Sequence, residues 1–132
     1  MRDPVNRAWI STVAAFALHN AEEAWSIAGG WSAEHWPALS WTVRQWPLFA
    51  LVAGLLTLLV AGAAFALRSR PSASRRVLVL FLWIMLANVA WHVTVSLYTR
   101  SVAPGVVTAI LLLLPLYVFH LRQLSSMKAS TS

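Results

Sequence analysis

Apolar positions along this chain fall into four long runs, and most polar ones collect between them. Residues 8–28, 46–67, 77–98 and 102–120 are each dominated by Ala, Leu, Val, Ile, Phe and Trp. Helical runs of about 20 residues, at ~1.5 Å rise each, cover a ~30 Å hydrocarbon layer. The pattern predicts an all-α fold, a four-transmembrane-helix bundle making one integral membrane domain over residues 1–132. Gly29-Gly30 ends the first run, and Pro47 suits the first turn of the second, where a missing N–H costs nothing. Pro115, inside the fourth run, predicts a kink. The pairs Ala50/Gly54 and Gly62/Ala66 put small residues four apart on the second helix, so it can pack closely within the bundle or in a homo-oligomer.

The connections differ in character. Residues 30–45 carry Trp31, Trp36 and Trp41, flanked by Trp25 and Trp46. Indole is apolar with one polar N–H, so this stretch is expected to be an interfacial Trp-rich loop between helices 1 and 2. Glu34 and His35 within it read as a solvated pair. The second connection, residues 68–76, holds Arg68, Arg70, Arg75 and Arg76 around Pro71.

Composition strengthens the membrane reading. Hydrophobic residues make up 59% of the chain and charged ones 11%, well below the ~25% charged of soluble domains. The net charge of +6 would suit nucleic acid, but the cations cluster at the ends of apolar runs, which points to a bilayer and to no nucleic-acid partner. With four spans, Arg2, Arg7, Arg68, Arg70, Arg75, Arg76, Arg122 and Lys128 share one side, and Arg44 and Arg100 take the other. The positive-inside rule then predicts a multi-pass protein of the cell inner (plasma) membrane with both termini cytoplasmic. The basic lead Met1 to Arg7 also resembles the start of a signal peptide, but His19, Glu22 and Glu23 interrupt the apolar run, so the first span is expected to be retained. With no cysteine, disulfides, thiolate metal sites and cysteine nucleophiles are excluded.

The candidate chemistry lies in the first span, at His19-Asn20-Ala21-Glu22-Glu23. A charged side chain at mid-bilayer costs roughly 2.5–3.5 kcal/mol on insertion scales, so such groups turn inward and mark sites. Spacings of three and four put His19, Glu22 and Glu23 on one helix face, and Asn88 and His92 on one face of the third helix. Counting ~1.5 Å per residue from the cytoplasmic ends, His19 and Asn88 both lie about 16 Å up, with Glu22, Glu23 and His92 at about 21–22 Å. Thr108 and Pro104-Gly105 of the fourth helix come out at about 18 and 23 Å, in the same layer. The partial positive charge at the start of that helix would hold Glu22 or Glu23 ionised.

His19-x-x-Glu22-Glu23, the later His92, and Pro104-Gly105 at the opening of the last span together resemble the HXXEE-domain family of small bacterial and archaeal integral membrane proteins. The likeness covers nearly the whole chain. Val102-Ala103 precede Pro104-Gly105 where the family carries a Tyr-x-Pro-Gly motif, so Tyr98 takes no role from it. The resemblance implies a shared site of His19, Glu22, Glu23 and His92 and transfers no activity.

Three functional readings remain. In the first, His19, Glu22, Glu23 and His92 supply ligands to one divalent transition metal (zinc, iron or manganese), supported from behind by Asn88 and Thr108. The presence of a single His-x-x-Glu pair argues against a dinuclear carboxylate centre. Such a metal would allow an enzyme acting on a membrane-soluble lipid or isoprenoid substrate. In the second reading, Glu22 and Glu23 are the catalytic groups of a metal-free isomerase or cyclase: two adjacent carboxyls in a poorly solvated place do not both ionise cheaply, so one stays protonated as the acid while the other carboxylate or a histidine acts as base. The third is a proton or cation transport or sensing protein, with only Thr12, Tyr117 and His120 to extend the path inward. Interhelical hydrogen bonding alone contributes ~0.6 kcal/mol per contact, too little to offset inserting two glutamates.

Overall fold

The computed structural model describes residues 4–35 and 41–129, and every regular element among them is helical. Four long helical stretches dominate: α1 (Pro4–Ala28), α4 (Trp46–Leu67), α5 (Pro71–Thr99), and a last stretch made of α6 (Val106–Thr108), a π-helical turn (Ala109–Leu113) and α7 (Leu114–Ala129). Two short helices, α2 (Trp31–His35) and α3 (Trp41–Arg44), lie in the connection between α1 and α4. Of the tryptophans expected there, Trp36 lies outside the described residues.

Prolines set the starts of the long helices. Pro71 occupies the first turn of α5, so this helix begins before the expected residue 77 and takes Arg75 and Arg76 into its first turns. The turn before it shortens to Arg68-Ser69-Arg70. Further along, Pro115 has no N–H to donate and its ring crowds the preceding turn. The chain widens just ahead of it into the π turn, where Leu114 N–H reaches Ala109 O.

Three helices are long and apolar enough to cross a membrane: Trp46–Leu67, Pro71–Thr99 and Val106–Ser126. The 25 residues of α1 are long enough too, at about 37 Å, but His19, Asn20, Glu22 and Glu23 make it more polar than those three. The core is built by Trp9, Ala15 and Phe16 of α1, Leu78, Leu82, Met85 and Val89 of α5, and Ala109, Leu113, Tyr117 and Leu124 of the last stretch. In α4 only Ala53 is buried, while Leu55, Leu58 and Leu59 are 56–68% exposed. An added Cβ at Gly54 or Gly62 would touch nothing within 4 Å, so the small-residue face is not used inside the chain. An exposed apolar surface of this size needs a lipid or protein cover.

Polar ties fix the register at both ends. Near one end, Trp9 Nε1 donates to Ser74 Oγ at 2.9 Å and Ser11 Oγ meets His120 Nε2 at 2.8 Å. Midway, Asn20 Nδ2 donates to Thr57 Oγ1 at 2.8 Å and to Ala53 O at 3.2 Å, joining α1 to α4. At the far end, Trp31 Nε1 donates to Ser101 Oγ at 3.1 Å and Ala103 N–H donates to Ser96 Oγ at 3.1 Å. These ties gather Arg7, Arg68, Arg75, Arg76 and Arg122 toward one end, with Glu22 and Glu23 in the opposite half.

Candidate metal centre

The i, i+4 spacing in α1 carries His19 and Glu23 onto the face turned toward α5 and α6, and His92 projects from α5 to meet them. His19 is 0% and His92 5% exposed, with ring centroids 4.8 Å apart and planes crossed at 87°. Glu23 Oε1 lies 3.2 Å from His92 Nε2 and 4.0 Å from His19 Nε2. Despite that proximity, His92 Nε2 has no aligned hydrogen bond and is fully buried.

A chain of hydrogen bonds sets the His19 tautomer. Thr108 Oγ1 donates to Gly105 O at 3.2 Å, so it accepts from His19 Nδ1–H at 3.0 Å. Nε2 therefore carries the ring's in-plane lone pair; it accepts an N–H from Asn88 Nδ2 at 3.0 Å, 4.0 Å from Glu23 Oε1, so ligation through Nε2 would displace the Asn88 contact. Holding one imidazole nitrogen so that the other can ligate is how metal-binding histidines are usually oriented.

The opening of the last helical stretch closes the site. Gly105 has φ +77°, and a Cβ there would stand 2.6 Å from His19 Cε1, 2.8 Å from Glu23 Cγ and 3.1 Å from His92 Cε1. Only a glycine brings the backbone this near all three side chains while keeping a left-handed conformation. Just beyond it, Thr108 N–H and Val107 N–H donate to the two Glu22 oxygens at 2.8 and 3.2 Å. Thus α6 clasps both His19 and Glu22, and Glu22 faces its N–H groups while Glu23 faces the histidines.

The residues brought together as potential ligands are His19, Glu23 and His92, with all three donor atoms within 4.8 Å of one another. Ligands on a tetrahedral ion at ~2.0–2.1 Å stand about 3.3 Å apart. The His92–Glu23 separation of 3.2 Å already matches, and His19 has to draw in from 4.0 Å to Glu23 and from within 4.8 Å of His92. Two imidazoles and one carboxylate could hold a metal ion, and His92 Nε2, buried without an aligned hydrogen bond, is the polar atom such an ion would satisfy. Glu22 is not part of this group. Asn88 and Thr108 support His19 from either side of its ring.

Beside Glu23 and His92 opens a cavity of about 230 Å³ walled by Ile27, Trp31, Phe49, Trp91, Val95 and Pro104. The sequence singled out neither this aromatic lining nor the interhelical role of Asn20; the one available signal was that Trp91 directly precedes His92.

No curated protein and no solved structure matches the chain. A family model does match residues 9–120, which include the motif, His92 and Gly105, so the chain belongs to the family described as proteins of unknown function with an HXXEE motif.

Proposed function

We propose that this protein is a four-span membrane protein in which His19, Glu23 and His92 hold one divalent transition metal, and that the centre acts on a membrane-soluble lipid or isoprenoid. What supports this most is His92 Nε2, buried without an aligned hydrogen bond, 3.2 Å from the Glu23 carboxylate and beside the His19 ring. Ligation would remove the cost of keeping these groups in a dry layer. Bound there, the ion supplies Lewis acidity toward a substrate oxygen or an activated water. Thr108 fixes the His19 ring, Glu22 anchors α6, and Gly105 lets the backbone close over the group. The apolar cavity beside Glu23 and His92 favours a hydrocarbon substrate carrying a polar group at one end.

The four-span topology treats α1 as a span whose polar face is sheltered by α5 and α6. It puts the arginine-rich end and both termini in the cytoplasm, with α2 and α3 at the outer interface. The exposed face of α4 is covered by lipid or by a second copy.

A second reading rests on the 3.2 Å approach of Glu23 Oε1 and His92 Nε2, a carboxyl–imidazole pair able to exchange a proton with a bound double bond without metal. Cobalt(II) titrated into chelator-stripped protein separates the two. The metal reading expects d–d absorption bands of a low-coordinate site that His92→Ala abolishes. A spectrum indistinguishable from cobalt in buffer would sink it, and turnover that survives chelation would assign the chemistry to the Glu23–His92 pair.

A further inference from the structure

At the opposite end of the bundle, the first turns of α5 and the last turns of α7 enclose a cavity of about 540 Å³ lined by Ser72, Arg75, Arg76, Val79, Leu124 and Ser125. Its charge has no counterpart among the described residues that line it. Arg75 spends one guanidinium N–H on Leu124 O, and its Nε is buried without a partner. The carboxylates among the described residues are Glu22, Glu23 and Glu34, and none of them lines this cavity. Two guanidinium groups therefore line a shared space to which no described residue brings an anion. A buried guanidinium N–H left unsatisfied is costly, and planar N–H forks match phosphate oxygens in pairs.

We propose that this cavity binds the phosphate of an anionic phospholipid in the cytoplasmic leaflet. The polar wall supplies Arg75, Arg76 and two hydroxyls to the headgroup. Val79 and Leu124 give the cavity an apolar wall, and Val77 and Leu80 beside Val79 are 39% and 62% exposed, so the lipid's acyl chains would leave along a surface that is itself apolar. A free phosphate would gain nothing from that wall; a diester with hydrocarbon attached uses both sides. The proposal rests on the membrane placement of the chain but not on the metal centre.

The test uses the full chain in detergent micelles, with bound lipid counted by native mass spectrometry after addition of phosphatidylglycerol or phosphatidylcholine. Phosphatidylglycerol should be retained preferentially. Arg75→Gln should lower its retention about tenfold, the loss of one charge-assisted contact, and Arg76→Gln by a similar factor. Arg70→Gln, which removes an arginine outside the cavity, should leave retention unchanged. Because Arg75 also holds Leu124 O, Arg76→Gln and Ser72→Ala carry the test if Arg75→Gln does not fold. Equal retention of the two lipids would overturn the proposal, as would an equal loss in Arg70→Gln, which signifies diffuse charge attraction. Inorganic phosphate displacing the lipid as well as lipid displaces itself would overturn the lipid assignment. Metal content should be the same in Arg76→Gln and wild type, so failure here and failure of the metal centre are told apart.

Discussion

A methyl group added at Gly105 would land within 3.1 Å of carbon atoms from His19, Glu23 and His92 at once, in a conformation that L side chains resist. Gly105→Ala is expected to destabilise the protein by about 3 kcal/mol and to abolish metal binding, from overpacking added to positive-φ strain. Gly30→Ala is the control: its φ is +95° but nothing lies within 4 Å of the new atom, so only the backbone strain of about 1 kcal/mol remains. Unfolding and metal content measured on both variants check the pair; equal losses would mean that strain, not crowding, is what Gly105 avoids. Thr108→Val keeps the shape but removes the acceptor that fixes the His19 tautomer, and should weaken metal affinity about 10–100-fold with the fold intact, read by competition with a chelating dye. At this scale much of the site was legible in the sequence. Helical spacing and rise alone align His19 with Asn88 and Glu23 with His92, and the structure joins both pairs. The division of labour between the two glutamates was not legible, because adjacent residues on a helix point about 100° apart and only the position of α6 decides which one meets its N–H groups.

Among the elements, α1 combines core packing through Trp9, Ala15 and Phe16 with polar ties to α4, α5 and α7. The bonds from Asn20 to Thr57 and Ala53 tie the motif to α4. Asn20→Ala should cost about 0.6–1.7 kcal/mol in detergent unfolding and leave metal content unchanged; a loss of metal would show that Asn20 also shapes the site. Helix existence was readable from run length, since an apolar run of about 20 residues has few other uses. Helix starts were less so. Pro71 nucleates α5 ahead of its apolar run because the first turn needs no N–H from it. The π turn before Pro115 had only the proline as its signal, and a proline announces a disturbance without saying whether the helix bends, breaks or widens.

For the whole molecule, the arrangement sorts charge by end, with most arginines at one and the His/Glu group, Arg44 and Arg100 toward the other, and this is the basis of the proposed topology. The natural absence of cysteine makes it directly testable. Single substitutions Arg7→Cys and Ser69→Cys should react with an impermeant thiol reagent only from the cytoplasmic side, and Ala33→Cys only from outside. Labelling of Arg7→Cys from outside would mean that α1 does not cross. What the sequence could not convey at this scale is the open face of α4, because hydropathy is the same for a helix buried in a bundle and one facing lipid. Whether the His19–Glu23–His92 group holds a metal is decided by elemental analysis of purified, reconstituted protein beside His19→Ala and His92→Ala. One equivalent of a transition metal per chain, lost in both variants, is the predicted result; no stoichiometric metal in the wild type, or the same metal content in all three, would contradict it.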